Sequence, residues 1–162
     1  MEDQFEDFIK VFEALEKYEV DYILIGGVAV ILHGMQRLTR DVDVFVNIFP
    51  ENIGKLREAL HSIYKDPSIE EITLNELNDY PVIRYGTPSG FYIDIMARLG
   101  EVATYDSLKY EIIDYNGIKI KIATPETLYQ LKRDTLRDKD KIDAVFLREL
   151  IEAKRANLPG GE

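Results

Sequence analysis

Residues 23–46 read I-L-I-G-G-V-A-V-I-L-H-G-M-Q-R-L-T-R-D-V-D-V-F-V, and this stretch decides the fold. An apolar run of strand length, Tyr22 to Ile25, stops at Gly26-Gly27; a short helical segment over 28–32 follows, and a second apolar strand then carries Asp41 and Asp43. Side chains alternate along a strand, so the two carboxylates face the same side. Asp is depleted in strands and costly to bury as an unpaired anion, so the pair needs a balancing charge, and a divalent metal is the simplest. Taken alone, D-V-D-V fits equally an edge strand whose aspartates face water while Val42, Val44 and Val46 face the core. The upstream glycines tip the balance: a turn that closes a strand and opens a helix leaves amide N–H groups able to face a phosphate beside the carboxylates.

Asp94 sits between Ile93 and Ile95 in another apolar run, 91–96. A lone Asp in such a strand is commonly a hydrogen-bonded structural residue, and its residue type alone leaves that open. Glu70 and Glu71 lie in a polar stretch and are poorer candidates for a buried site. Arg37 and Arg40 flank Thr39 just before the aspartate strand; they fit either a solvated loop or a bidentate grip on phosphate oxygens. His33, at a helix end, reads as structural more readily than as a ligand or base.

The chain resembles the DNA polymerase beta-like nucleotidyltransferase superfamily, whose signature is a strand, Gly-Gly or Gly-Ser, a spacer of roughly a dozen residues and Asp-x-Asp on the next strand. Gly26, Gly27, Asp41 and Asp43 match it. With Ala29, His33-Gly34, Arg37 and Thr39 leading into Asp41, and Lys132, Arg137, Lys139, Asp140 and Asp143 downstream, the chain looks most like the small prokaryotic AbiEii-like group of abortive-infection and toxin–antitoxin systems. The resemblance implies that Asp94 is the third carboxylate, and that Asp41, Asp43 and Asp94 together are the catalytic metal ligands. It also implies two Mg2+ or Mn2+ ions, a nucleoside triphosphate co-substrate held by Gly26, Gly27, Arg37, Thr39, Arg40 and Lys132, and Asp140 and Asp143 orienting basic residues.

Length and charge narrow the partners. The chain has 162 residues, 46% of them hydrophobic, and no apolar run of membrane-spanning length, which suits a soluble globular protein with a full core. Its acidic start, M-E-D-Q-F-E-D, lacks a signal-peptide layout, and without cysteine there is no disulfide framework, thiolate zinc site or cysteine nucleophile, so the cytoplasm is the expected location. Net charge is −10, unevenly spread: residues 1–118 hold 10 Lys and Arg against 22 Asp and Glu, whereas 119–155 hold 10 against 7. So acidic a body argues against DNA binding, which needs clustered cations, while leaving room for a metal-bound nucleotide or an RNA end at the basic segment.

Along the chain, Phe5, Phe8, Ile9, Phe12 and Leu15 predict an amphipathic helix over 4–18, and Pro50 opens a helix lined by Ile53, Leu56, Leu60 and Ile63. Residues 66–80 read as loop with a short strand. Strands are expected at 82–85 and 91–96 around Gly86-Thr87-Pro88-Ser89-Gly90, and at 111–115 and 118–122 around Asn116-Gly117, which suits a type I′ turn. Thr124-Pro125-Glu126 caps a helix carrying Leu128, Leu131 and Leu136, and a last helix, about 139–154, is expected to bury Ile142, Val145, Phe146 and Leu150.

The expected fold is therefore α/β (α+β): a mixed, mostly antiparallel sheet with helices packed on it and the site at one edge. One domain spans 1–155, with a catalytic core at 20–122, a helical segment at 124–155 and a tail at 156–162. The expected function is metal-dependent transfer of a nucleoside monophosphate to a hydroxyl of RNA (tRNA-like) or of a partner protein. The alternative is a catalytically weak regulatory half of a toxin–antitoxin or phage-defence pair. Retention of three carboxylates and the Gly-Gly turn favours the first, and shortness the second.

Overall fold

Phe8, Val11, Phe12 and Leu15 recur at helical spacing and are all buried, which winds Glu2–Lys17 into an amphipathic helix, α1. The computed structural model describes residues 2–36, 38–99, 103–132 and 138–156. After α1 come β1 (Tyr22–Ile25), buried along its whole length, and α2 (Gly26–Leu32), which starts at the glycines themselves rather than at Val28. The aspartate strand is β2 (Asp41–Val46), followed by α3 (Pro50–His61) with Pro50 in its first turn.

Residues 66–80 depart from expectation. They form a 3-10 turn, Pro67–Glu71, and a helix, α4 (Leu74–Asp79), because each has a cap: the Asp66 carboxylate accepts from the Ser68 amide at 3.0 Å, and Thr73 Oγ1 accepts from the Glu76 amide at 3.2 Å. The apolar residues scattered here, Ile69, Ile72 and Leu77, are buried.

The strands β3 (Ile83–Gly86) and β4 (Tyr92–Met96) follow, then an unanticipated antiparallel pair of β5 (Arg98–Leu99) and β6 (Ala103–Thr104), and the strands β7 (Tyr110–Tyr115) and β8 (Ile118–Ala123). Asn116 and Gly117 have φ of 52° and 89°, the left-handed pair that a type I′ hairpin demands. Two helices end the chain, α5 (Pro125–Lys132) and α6 (Asp138–Ala156). The inward face of α6 carries Asp143, Ala144, Leu147 and Ile151; Ile142 and Val145, expected in the core, are exposed, and Phe146 is only partly buried. Each helical residue turns the chain by about 100°, so misjudging the apolar stripe by one position exchanges buried residues for exposed ones. Leu136 and residues 157–162 lie outside the described residues.

The main sheet runs β3-β4-β2-β1-β8-β7. Its antiparallel pairs are β1–β2, β3–β4 and β7–β8, and its parallel pairs are β1–β8 and β2–β4. The sheet is thus mixed and mostly antiparallel, as expected. The strand β2 lies between β4 and β1, not at an edge, so Asp41 and Asp43 are not edge residues, and both side chains are half-buried. The helix α1 packs on β8 and α3, while α2 packs on β1 and β2 and meets α5 and α6. No helix among the described residues is long and apolar enough to cross a membrane.

Candidate functional site

The register of three strands builds the site. In the parallel pair of β2 and β4, Asp41 lies opposite Tyr92 and Asp43 opposite Asp94; in the antiparallel pair of β3 and β4, Arg84 lies opposite Asp94. Side-chain alternation then places Asp41, Asp43, Tyr92, Asp94 and Arg84 on one face, with neighbouring strands about 4.8 Å apart. Local bonds fix this register. Buried Thr87 donates from its amide and its hydroxyl to the Phe91 carbonyl, at 2.8 and 2.9 Å, and Gly90 closes the turn at φ +90°. The Tyr92 amide donates to the Arg40 carbonyl at 3.0 Å, carrying the β2–β4 pairing one residue back, while Thr39 Oγ1 accepts from the Asp41 amide at 3.3 Å.

Arg84 binds two of the carboxylates. Its Nε donates to Asp94 Oδ1 at 2.9 Å and its Nη2 to Asp94 Oδ2 at 3.1 Å, a bidentate fork, and the same Nη2 lies 3.4 Å from Asp41 Oδ2. The guanidinium carbon stands 4.5 Å from the centre of the Tyr92 ring, within cation–π range. The Asp94 bonds hold the guanidinium firmly in its charged form, raising its pKa above the ordinary value, with the Asp41 charge adding to the effect. The Asp94 side chain is 12% exposed and that of Arg84 52%, so the guanidinium lies over the carboxylate on its solvent side.

Asp43 is set against the chain start of α2. Gly26 has φ +72°, and a Cβ there would overlap the Asp43 carboxylate, so this position excludes every side chain on two independent grounds. Gly27 is buried inside the same turn. The glycine pair thus places backbone directly beside a carboxylate.

The other anticipated residues divide by placement. Arg40 is exposed and Thr39 half-buried, both on the loop that enters β2. Lys132 is the last residue of α5, with its side chain outside what is described, and Arg37, Arg137 and the side chains of Lys139 and Asp140 also lie outside the described residues. Asp143 is buried on α6. His33 is structural: its Nε2 donates to the Ala123 carbonyl at 2.9 Å, tying the end of α2 to the end of β8. Among the described residues, no group of three or more Asp, Glu, His or Cys side chains is gathered tightly enough to hold a metal ion as the side chains stand. Two of the three carboxylates are arranged around a guanidinium instead. Arg84 and Tyr92 were not anticipated, although the alternation of I-R-Y-G about the 87–90 turn places Arg84 on the Asp94 side once the hairpin register is known.

A cleft of about 400 Å3 adjoins Arg84, between β3 and the 67–79 segment, lined by Ser68, Glu71, Thr73, Glu76 and Tyr85 among others.

Comparison with known proteins agrees with this architecture. Among solved structures, the chain is similar to an antigenic nucleotidyltransferase-like protein from Paracoccidioides brasiliensis (18% identity, TM-score 0.59, covering 91% of this chain and 77% of that one). It is also similar to the lincosamide antibiotic adenylyltransferase LnuA bound to lincomycin (19% identity, TM-score 0.59, 91% and 96%). A third similar structure is ANT(2'')-Ia in complex with adenylyl-2''-tobramycin (12% identity, TM-score 0.56, 94% and 91%). Identities this low establish the fold alone. No curated protein matches the chain. The model of a protein family described as "Nucleotidyl transferase AbiEii toxin, Type IV TA system" matches residues 11–159, nearly the whole chain, and the protein therefore belongs to the AbiEii nucleotidyl transferase family.

Proposed function

We propose that the chain is a metal-dependent nucleotidyltransferase that moves a nucleoside monophosphate from a nucleoside triphosphate to a hydroxyl of an RNA end or a partner protein. The observation that carries this reading is the register Asp43 opposite Asp94 with Asp41 on the same face, two of these carboxylates already sharing one cation through Arg84 Nη2. Oxygens that converge on one cation suit Mg2+ or Mn2+, which take carboxylate, phosphate and water ligands without His or Cys. The donor set fits once the guanidinium yields its place.

In this reading Asp41, Asp43 and Asp94 hold the metal, and Asp94 receives the proton of the acceptor hydroxyl. When bound, two ions would stabilise charge on the attacking and leaving oxygens of an in-line displacement. The acceptor oxygen forms a bond to the α-phosphorus, the bond from that phosphorus to the pyrophosphate oxygen breaks, and pyrophosphate leaves. Gly26 and Gly27 bring the backbone of the turn beside Asp43, from which their amides would meet the phosphates, and Arg37, Thr39, Arg40 and Lys132 are the side chains proposed to meet the nucleotide. The unit 1–155 would act as one domain, with its helical segment 124–155 closing the nucleotide side.

The test is transfer from α-labelled ATP, GTP, CTP and UTP, with Mg2+ or Mn2+, onto total tRNA, the protein itself and any co-purifying partner, alongside Asp43→Asn. Label on one acceptor that disappears in the variant is expected and would name both substrates. Absence of label in a preparation that still binds metal and nucleotide would favour the second reading, a regulatory half of a paired system. The occupation of Asp94 and Asp41 by Arg84 is the observation on that side.

A further inference from the structure

Arg84 holds a positive charge where a metal would bind. Its fork engages both oxygens of Asp94 and its Nη2 lies 3.4 Å from Asp41 Oδ2, so a divalent ion taking those oxygens at roughly 2.1 Å would stand within a few ångströms of the guanidinium and compete with it for the same carboxylates. We infer that Arg84 is a resident counter-cation of the carboxylate site, which divalent metal must displace and which couples metal binding to the arrival of a nucleotide. This inference rests on the metal-dependent reading above and specifies how that site is regulated.

Three features allow the displacement. The guanidinium is about half exposed and sits on an edge strand, so it can swing on its aliphatic stem without disturbing the core. Tyr92, itself exposed, already lies under it and gives a resting surface that does not depend on the carboxylates. Its planar donors, once released, match phosphate oxygens as well as they match Asp94. Metal alone must therefore eject a cation into water, whereas metal carried on a triphosphate brings anions to receive it. The first event is opposed and the second is assisted.

The same charge also fits the resting site. Removing Arg84 would leave Asp41, Asp43 and Asp94 on one face without it, and like charges raise the affinity for any replacement cation. For a half-exposed pair this competition is modest, about tenfold in metal affinity.

The experiment is Mn2+ binding by the full chain, followed by the electron paramagnetic resonance of free Mn2+, with and without a non-transferable α,β-methylene triphosphate. In the wild type the analogue is expected to tighten Mn2+ binding strongly. Arg84→Gln is expected to bind Mn2+ alone about tenfold more tightly than wild type and to lose most of the benefit of the analogue, with Arg84→Lys, which keeps charge without the fork, in between. Lys109→Gln, at an exposed lysine away from the face, controls for net charge and is expected to leave binding unchanged. Equal or weaker Mn2+ binding by both Arg84 variants, in a wild type whose binding is lost in Asp43→Asn, overturns the displacement model and leaves the metal reading standing. An equal gain in Lys109→Gln overturns it as well. No Mn2+ binding by any form, with or without the analogue, removes the metal reading and this inference together.

Discussion

Gly26 shows how a single residue can be fixed by two constraints at once. Its φ of +72° disfavours any L side chain, and the space a Cβ would fill is taken by the Asp43 carboxylate. Gly34 is an internal control, with φ +116° and nothing within 4 Å of a built Cβ. Gly34→Ala is expected to cost about 1–2 kcal/mol in urea unfolding, from backbone conformation alone. Gly26→Ala is expected to cost at least about 1 kcal/mol more, as overpacking is added, and to displace Asp43. Equal losses for the two variants would mean that the contact between Gly26 and Asp43 is not a constraint. At the same scale, burial pushes the Tyr22 hydroxyl up to about 12, partly offset by the Lys121 amide that donates to it at 3.2 Å. The folded pKa is above that of the unfolded chain, about 10, so stability is complete below pH 10 and falls as pH rises toward 12, by about 2–3 kcal/mol for this residue. Tyr22→Phe is expected to lose about 1 kcal/mol at pH 7 and to show a shallower decline between pH 9 and 11 in urea titrations.

At the scale of elements, the carboxylate face depends on how β1 and β2 are anchored at the ends away from the site. Asn52, buried near the start of α3, accepts from the Asp21 amide at 2.7 Å and donates to the carbonyls of Asp21 and Asn47 at 3.0 and 2.8 Å. One side chain thereby ties the entry to β1 to the exit from β2, supporting the register that pairs Ile25 with Asp43. Asn52→Ala is expected to destabilise by about 2–4 kcal/mol, because three backbone groups lose their partner, and to unfold in one cooperative transition. A loss below about 0.5 kcal/mol would show that water replaces the amide without cost. On the other side of the site, Tyr85 donates to Asp66 at 2.7 Å and holds the capped 67–71 turn against β3. That bond, with the Ser68 amide, keeps the Asp66 carboxyl below its usual pKa, so the contact is present at neutral pH and weakens as pH falls through the carboxylate range.

At the scale of the molecule, a chain of net charge −10 responds to any added cation through screening, so a specific metal effect must be measured at matched ionic strength. At a Mg2+ concentration near ten times its Kd, the melting temperature is expected to rise by about 3–6 °C over a sodium control, more with a triphosphate analogue present, and Asp43→Ala is expected to abolish the rise. An identical rise in wild type and variant would remove the metal site from the proposal. The apolar type of Ile142 and Val145 on α6 points to the core, but both are exposed, because the helix turns Asp143 and Leu147 inward instead.

The sequence by itself determined most of the local structure, because the signals there are local: the I-L-I-G-G turn, the alternation in D-V-D-V, the Asn116-Gly117 hairpin and the helical spacing of Phe8, Phe12 and Leu15 act between residues a few positions apart. It also determined the family, since the glycine pair and the aspartate pair stand at a spacing within one stretch. Only the tertiary structure decided that β2 is central, that Asp43 and Asp94 lie opposite each other, and that Arg84 reaches both Asp94 and Asp41. Those facts depend on strands distant in sequence pairing in one register, and in a strand a shift of one residue would turn Arg84 to the opposite face.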